Sequence, residues 1–334
     1  MCIRDRIHTV RQAIMPKSAK DSRGHDVAQQ LAEADGDVVK AFENRLQQGL
    51  TEPHYIELDL GELTDPTSIT LFLTGWIFPT DTSLNVAFAQ NPEVDGPELP
   101  SVWVPNAEGK WQKTVGYMGF PGGKTKTIAV DLSQAFLTDD YRVQIRTTAE
   151  IYWDRAFFTV DEPEVQVRQI PLKLQSADLH YRGFSAPDPH RATAPQTYDH
   201  ARVTKKLIWP PMRGRFTRYG DVIELLETAD DQMAVLGAGD AITVRFAVPD
   251  DEPPSGWKRD FVLHCVGYDK DADLNTIYGQ TVGPLPFRAM SQYPYGPDEP
   301  YPDSEGYRDY LRRYQTREQN PADFWRWTLG TGRP

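Results

Sequence analysis

The side chains best spaced for metal chemistry are Asp269, Asp271, Asp273 and Asn275, at alternate positions of YDKDADLN. Calcium takes roughly six to eight hard oxygen ligands, and carboxylates on every second residue of a tight loop can converge on one ion. The loop lacks the glycine of an EF-hand turn and the glutamate downstream of it, and Gln280 is the nearest long polar side chain beyond. An acidic hairpin or strand end writes the same letters, so calcium and a plain acidic turn both stay open.

Aromatic residues offer a second chemistry. Trp103 and Trp111 are flanked by Pro105, Asn106 and Gly109, and Tyr117 follows shortly. Sugar rings stack on indole faces, and binding pockets combine such surfaces with a few polar groups. Core packing is the competing use of a strand-borne tryptophan, and it fits Trp76 and Trp153, which sit inside apolar runs. In IYWDR, Asp154 lies beside Arg155, but a glycosidase needs a second carboxylate several ångströms away, and the sequence identifies none. A structural ion pair or turn explains that pair as well. GGKT (122–125) fails as a phosphate loop, because position 118 is Met and the following TIAVDL alternates like a strand. His180, His190 and His200 do not match zinc spacing, and no G-x-S-x-G, H-E-x-x-H or G-x-G-x-x-G is present. No catalytic residue is assigned.

These residues must be held by a chain of 334 residues, long enough for two domains. Hydrophobic content of 39% and charged content of 25% are those of a globular protein. A net charge of −12 repels phosphate backbones, which argues against a nucleic-acid partner. No apolar run reaches the roughly 18–20 residues that span a bilayer. The two cysteines, Cys2 and Cys265, are too few for a disulfide framework, and Cys265 in the apolar run Phe261–Val266 reads as a buried thiol.

The periodicity predicts a mostly β protein: one or two antiparallel β-sandwich, jelly-roll-like domains with short peripheral helices. Residues 1–53 are polar and mixed, and Val27, Leu31, Val38, Val39 and Phe42 suggest a connector with short helices. From His54 the period is two: Ile56/Leu58/Leu60, then Ile69/Leu71/Leu73, Leu84/Val86/Phe88, Ile128/Val130/Leu132 and Tyr141/Val143/Ile145, with the apolar run Ile151–Val160 as a central strand. Residues 54–164 are thus expected to form a β-sandwich. Strands at Val165/Val167, Leu172/Leu174, Val222–Leu226, Ile242–Val248 and Phe261–Val266 would make 165–290 a second sandwich or an elaboration of the first. Residues 291–334 form a Pro/Tyr-rich tail with one helix, in which Tyr307, Tyr310, Leu311 and Tyr314 share a face and Asp303 or Ser304 caps the start.

Two blocks carry a family resemblance: WPPMRGRFTRYGDVIELL (Trp209–Leu226) and GWKRDFVLHCVGYDKDADLNTIYGQTVGPLPFRAMSQYPY (Gly256–Tyr295). With HYIELDLGEL, LTGWIF, GYMGFPGG and EIYWDR, they resemble the C-terminal module of bacterial FG-GAP/VCBS repeat proteins of the ASPIC/UnbV type, which include relatives of cartilage acidic protein. The resemblance implies an exported protein, placed outside the cell, in the periplasm or on the cell surface. It also implies an upstream propeller-type repeat domain in the same longer chain as a partner. The family's calcium loops lie in that propeller and do not transfer to Asp269–Asn275, and no catalytic residue is carried over. The opening MCIRDR has the look of a translated artefact from assembled metagenomic reads, which would place the true start upstream. The expected function is a non-catalytic binding or assembly module that recognises glycan or protein through Trp103, Trp111 and Tyr117. A polysaccharide hydrolase using Asp154, or a structural cap on a propeller, are the alternatives.

Overall fold

The computed structural model describes residues 8–91, 93–123, 125–163, 165–187, 197–207, 209–270, 272 and 278–330, the side chains of Asp323 and Trp327 excepted. The protein is mostly β, and it divides into two compact units. One comprises the described residues of Met1–Val167 and Pro189–Thr197, the other those of Arg168–Asp188 and Tyr198–Pro334.

The first unit is an antiparallel β-sandwich. Its strands are β1 (Ser18–Asp21), β2 (Arg45–Gln47), β3 (Leu50–Asp59), β4 (Ile69–Ile77), β5 (Ser101–Pro105), β6 (Trp111–Val115), β7 (Lys126–Asp131), β8 (Arg142–Ala149) and β9 (Ile151–Val160). One sheet runs β1-β3-β8-β5-β6, with β2 also on β3, and the other runs β7-β4-β9. Alternation turns one face of each sheet inward. Ile56 and Leu58, Val143 and Ile145, Val102 and Val104 meet Leu71 and Leu73, Val130, and Trp153, Ala156 and Phe158 in a single core. Each such aliphatic side chain contributes on the order of 1.5–3 kcal/mol by leaving water. A bulge in β9 places Trp153 opposite Gly75 and Arg155 opposite Thr74, leaving Asp154 as the extra residue. Gly75 is required beside it, since a Cβ there would lie 2.6 Å from the Tyr152 carbonyl oxygen and 2.8 Å from the Trp153 ring.

The stretch expected to be a helical connector belongs to the sandwich. Described residues 8–53 hold β1, β2 and the start of β3 but no α-helix. Ala19, Val27, Leu31, Val39 and Ala41 are core residues. The reason is the free edge of β9, whose backbone groups need partners. Ile14 and Phe158 exchange both backbone hydrogen bonds, as do Val39 and Trp153, and Ala156 N donates to Leu31 O. A second correction falls at Leu84/Val86/Phe88, expected as a strand. The segment forms α1 (Thr82–Gln90), because the Asp81 side chain accepts from Leu84 N at 2.7 Å and caps a helical first turn.

The second unit is built otherwise. Its strands are β10 (Lys173–Tyr181), β11 (Phe184–Pro187), β12 (Tyr198–Thr204), β13 (Gly214–Phe216), β14 (Gly220–Asp221), β15 (Asp240–Ala247) and β16 (Arg317–Gln319), and its helices are α2 (Glu305–Arg313) and α3 (Pro321–Thr328). A three-stranded sheet, β14-β10-β15, is accompanied by the pairs β11-β12 and β13-β16. Ala177 and Leu179 of β10, Val222 and Leu225 pack with Tyr307, Tyr310 and Tyr314 of the tail. Ser304 caps α2 by accepting from Tyr307 N at 3.1 Å, and the 3.6-residue period then carries the tyrosines onto one face. Several expected strands are absent. Residues 165–172 carry none, and Val222–Leu226 contains a 3-10 turn, Ile223–Leu225. Phe261–Val266 forms no strand and stands exposed, from 62% at Val266 to 74% at Val262. Cys265 is accordingly an exposed free thiol, not a buried one. Apolar letters favour burial only where another element covers them, which the local sequence cannot specify.

Candidate ligand-binding face

The same alternation that buries Val143 and Ile145 turns Arg142, Gln144 and Arg146 to the outer face of the larger sheet. Cross-strand partners share a face, so the register builds rows across it. Tyr55, Arg146 and Ser101 form one row, and Glu57, Gln144, Trp103 and Lys113 the next. Asp59 pairs with Arg142, and Trp111 lies opposite Pro105. The result is an open sheet surface with three aromatic rings set among polar groups. Tyr55, Trp103 and Trp111 are each partly exposed.

A hydrogen-bonded relay orders its centre. Gln144, only 2% exposed, donates from Nε2 to Glu57 Oε2 at 2.7 Å, and its Oε1 accepts from Arg146 Nε at 2.8 Å. Trp103 Nε1 donates to Ser101 Oγ at 3.1 Å, which fixes the indole. The Arg146 guanidinium lies 4.3 Å from the Trp103 ring centre and 5.7 Å from that of Tyr55. Lys113 Nζ is 5.3 Å from the Trp103 ring, and Arg142 is 5.7 Å from that of Trp111. Such contacts hold cations and rings in fixed relation. Arg142 is also clamped by Asp140, whose carboxyl it holds below the usual range. Partial burial pulls Arg146 down from the usual guanidinium value.

Trp103 and Trp111 are therefore brought onto one surface. Tyr117 lies past the end of β6, half exposed, and makes no ring or hydrogen-bond contact with the residues of that surface. Asp269 is exposed, while Asp271, Asp273 and Asn275 lie outside the described residues. Among the described residues no group of three or more His, Cys, Asp or Glu side chains is placed to hold a metal. Asp154 is 5% exposed, and its Oδ1 accepts from Gly36 N at 2.9 Å, tying the N-terminal stretch to β9. Trp153 is core, and Trp76 packs against Phe78 and Tyr152. Sequence reasoning missed Tyr55, Lys113, Gln144 and Arg146. The run RVQIR held the signal, since its period of two puts Arg142, Gln144 and Arg146 together.

A second polar cluster is structural in its geometry. The fully buried Glu150 carboxylate pairs with Arg45, accepts from Gly49 N at 3.2 Å and from the Tyr152 hydroxyl at 2.6 Å. Burial first, then Glu150, pushes Tyr152 up to about 12. Nearby in the chain, His54 Nδ1 lies 3.0 Å from both the Glu52 carbonyl oxygen and the Thr51 hydroxyl. His54 Nε2 is buried without a partner, and burial lowers the imidazole pKa.

Fold and surface together define a β-sandwich module with an aromatic, polar-studded sheet face. Comparison with protein-family models, curated proteins and solved structures finds no match for this chain. No helix among the described residues is long and apolar enough to cross a membrane.

Proposed function

We propose that the first unit is a non-catalytic module that binds a glycan chain along the outer face of its larger sheet. One observation carries the reading: Tyr55, Trp103 and Trp111 share a single open face with Glu57, Gln144 and Arg146 between them. Rings offer stacking surfaces to the apolar faces of sugars, and interleaved donors and acceptors meet their hydroxyls. The hydrolase alternative draws nothing from Asp154, which is buried and committed to Gly36 N. Titration of an oligosaccharide panel by calorimetry tests the proposal. Trp103→Ala should weaken binding by on the order of 30-fold, the size of a hot-spot aromatic, with the melting temperature nearly unchanged. Equal affinity in the variant would overturn it.

The second unit suits assembly. Phe261, Val262, Leu263, Val266 and Tyr268 are all more than half exposed within one short stretch of chain, and exposed apolar surface of this kind marks contact sites. The sequence resemblance supplies the occupant: a neighbouring repeat domain of a longer, exported chain. Leu263→Asp should raise the solubility of the isolated chain and reduce its binding of a hydrophobic dye, and an unchanged dye signal would count against the patch.

A further inference from the structure

On the outer sheet face the cations are not treated alike. Arg142 has Asp140 as its carboxylate partner. Among the described residues, Arg146 and Lys113 have none within 4.0 Å, and the Arg146 Nη groups and Lys113 Nζ make no hydrogen bond. Both nevertheless converge on Trp103, at 4.3 and 5.3 Å from its ring centre. The neighbouring carboxylate, Glu57, is engaged by Gln144 Nε2, and Gln144 in turn holds Arg146 at Nε only. This leaves the forked end of the guanidinium without an acceptor. The chain carries 48 Asp and Glu against 36 Lys and Arg, so carboxylates to neutralise two cations are plentiful. Glu57 acts on Arg146 only from across Gln144, and a partly buried guanidinium with no carboxylate in direct contact is costly unless an anion completes it. The guanidinium fork matches the two oxygens of a carboxylate or a sulfate, and Lys113 adds a second point charge beside it.

We infer that the glycan is anionic, with a carboxylate or sulfate group received between Arg146 and Lys113 while its ring stacks at Trp103. The inference rests on the glycan-binding reading above. The chain's overall negative charge does not forbid it, because at physiological ionic strength screening confines the contest to about 8 Å.

Matched polymers separate the possibilities. Polygalacturonate against its fully methyl-esterified form tests carboxylate, and dextran sulfate against dextran tests sulfate, each with the intact chain by calorimetry or affinity electrophoresis. The expected result is binding at least about tenfold tighter to the charged member of one pair, the size of one charge-assisted hydrogen bond. Arg146→Gln and, independently, the exposed Lys113→Gln should each erase most of that preference, and salt should weaken wild-type binding more than that of either variant. Equal binding to both members of each pair, or a preference that survives both substitutions, would overturn the anionic inference. If binding is then still lost in Trp103→Ala, the glycan reading stands without it. If neither these polymers nor neutral xylan, mannan and cellulose oligomers bind, both fall together.

Discussion

The first unit closes its core mainly with aliphatic side chains from two sheets, around Trp153 and Phe158, and the second closes its core with tyrosines whose hydroxyls are all spoken for. In the sandwich, Leu58, Leu71, Val102 and Val143 meet as plain apolar surface. In the second unit the Tyr301 and Tyr307 hydroxyls lie 2.6 Å apart, the Tyr310 hydroxyl donates to Met233 O at 2.6 Å, and Gln315 Nε2 donates back to Tyr310 at 2.6 Å. A small sheet with few aliphatic residues buries large rings and must then satisfy their polar ends. The contrast bears on function. The sandwich leaves Tyr55, Trp103 and Trp111 partly exposed on its outer sheet face, the face proposed to bind glycan, whereas Tyr307, Tyr310 and Tyr314 of the second unit are spent on holding the tail.

Removing the largest ring of the sandwich core should have the largest effect. Trp153→Ala is expected to cost about 3–5 kcal/mol. Hydrogen exchange followed peptide by peptide should show protection lost across β4, β8 and β9 while α2 keeps its own. Tyr310→Phe should cost less, about 1–3 kcal/mol, because Met233 O and Gln315 lose a partner while the ring stays. Here the loss of protection should centre on α2 and β10. A common loss in both experiments would erase the distinction between the units.

Titration sharpens the same contrast. The His54 pKa is lowered in the fold from an unfolded value of 6.5. Its contribution to stability is thus present above that value and is lost as pH falls through the folded pKa, because the unfolded chain gains the proton first. His54→Phe should flatten the acid limb of the first unit's stability between about pH 6.5 and the carboxylate range. Burial raises Tyr301, Tyr307 and Tyr310 above their ordinary value of 10.0. Their contribution is full below pH 10 and falls as pH rises through the folded values, so the second unit should fail first in alkali. The raised Tyr152 gives the sandwich an alkaline weak point of its own. Circular dichroism melts across pH, with exchange data to assign each limb, check both signs.

Much of the sandwich was legible and part of it was not. Ile56/Leu58/Leu60 and Val143/Ile145 announce half-buried strands because each decision is local to a period of two. The N-terminal stretch hid its role because its partner, the edge of β9, lies more than a hundred residues away. Leu84/Val86/Phe88 misled because one capping carboxylate, Asp81, outweighs a short alternation. Of the recognition face, the tryptophans were visible by type, but Arg146 and Lys113 become meaningful only once β5, β6 and β8 are in register. At the small end of the scale, Tyr117→Ala should change stability by less than about 0.5 kcal/mol and leave glycan binding nearly intact, since the exposed Tyr117 makes no ring or hydrogen-bond contact with the residues of that face.

The eight tryptophans provide the most direct test of the recognition face. Their indole N–H signals, assigned by single substitutions, can be followed by NMR as oligogalacturonate or a neutral oligosaccharide is added. Trp103 and Trp111 should shift with a common dissociation constant, while buried Trp153 and the second unit's Trp209 and Trp257 stay still. Shifts confined to Trp209 and Trp257, or no shift at Trp103 under saturating ligand, would contradict binding on the outer sheet face.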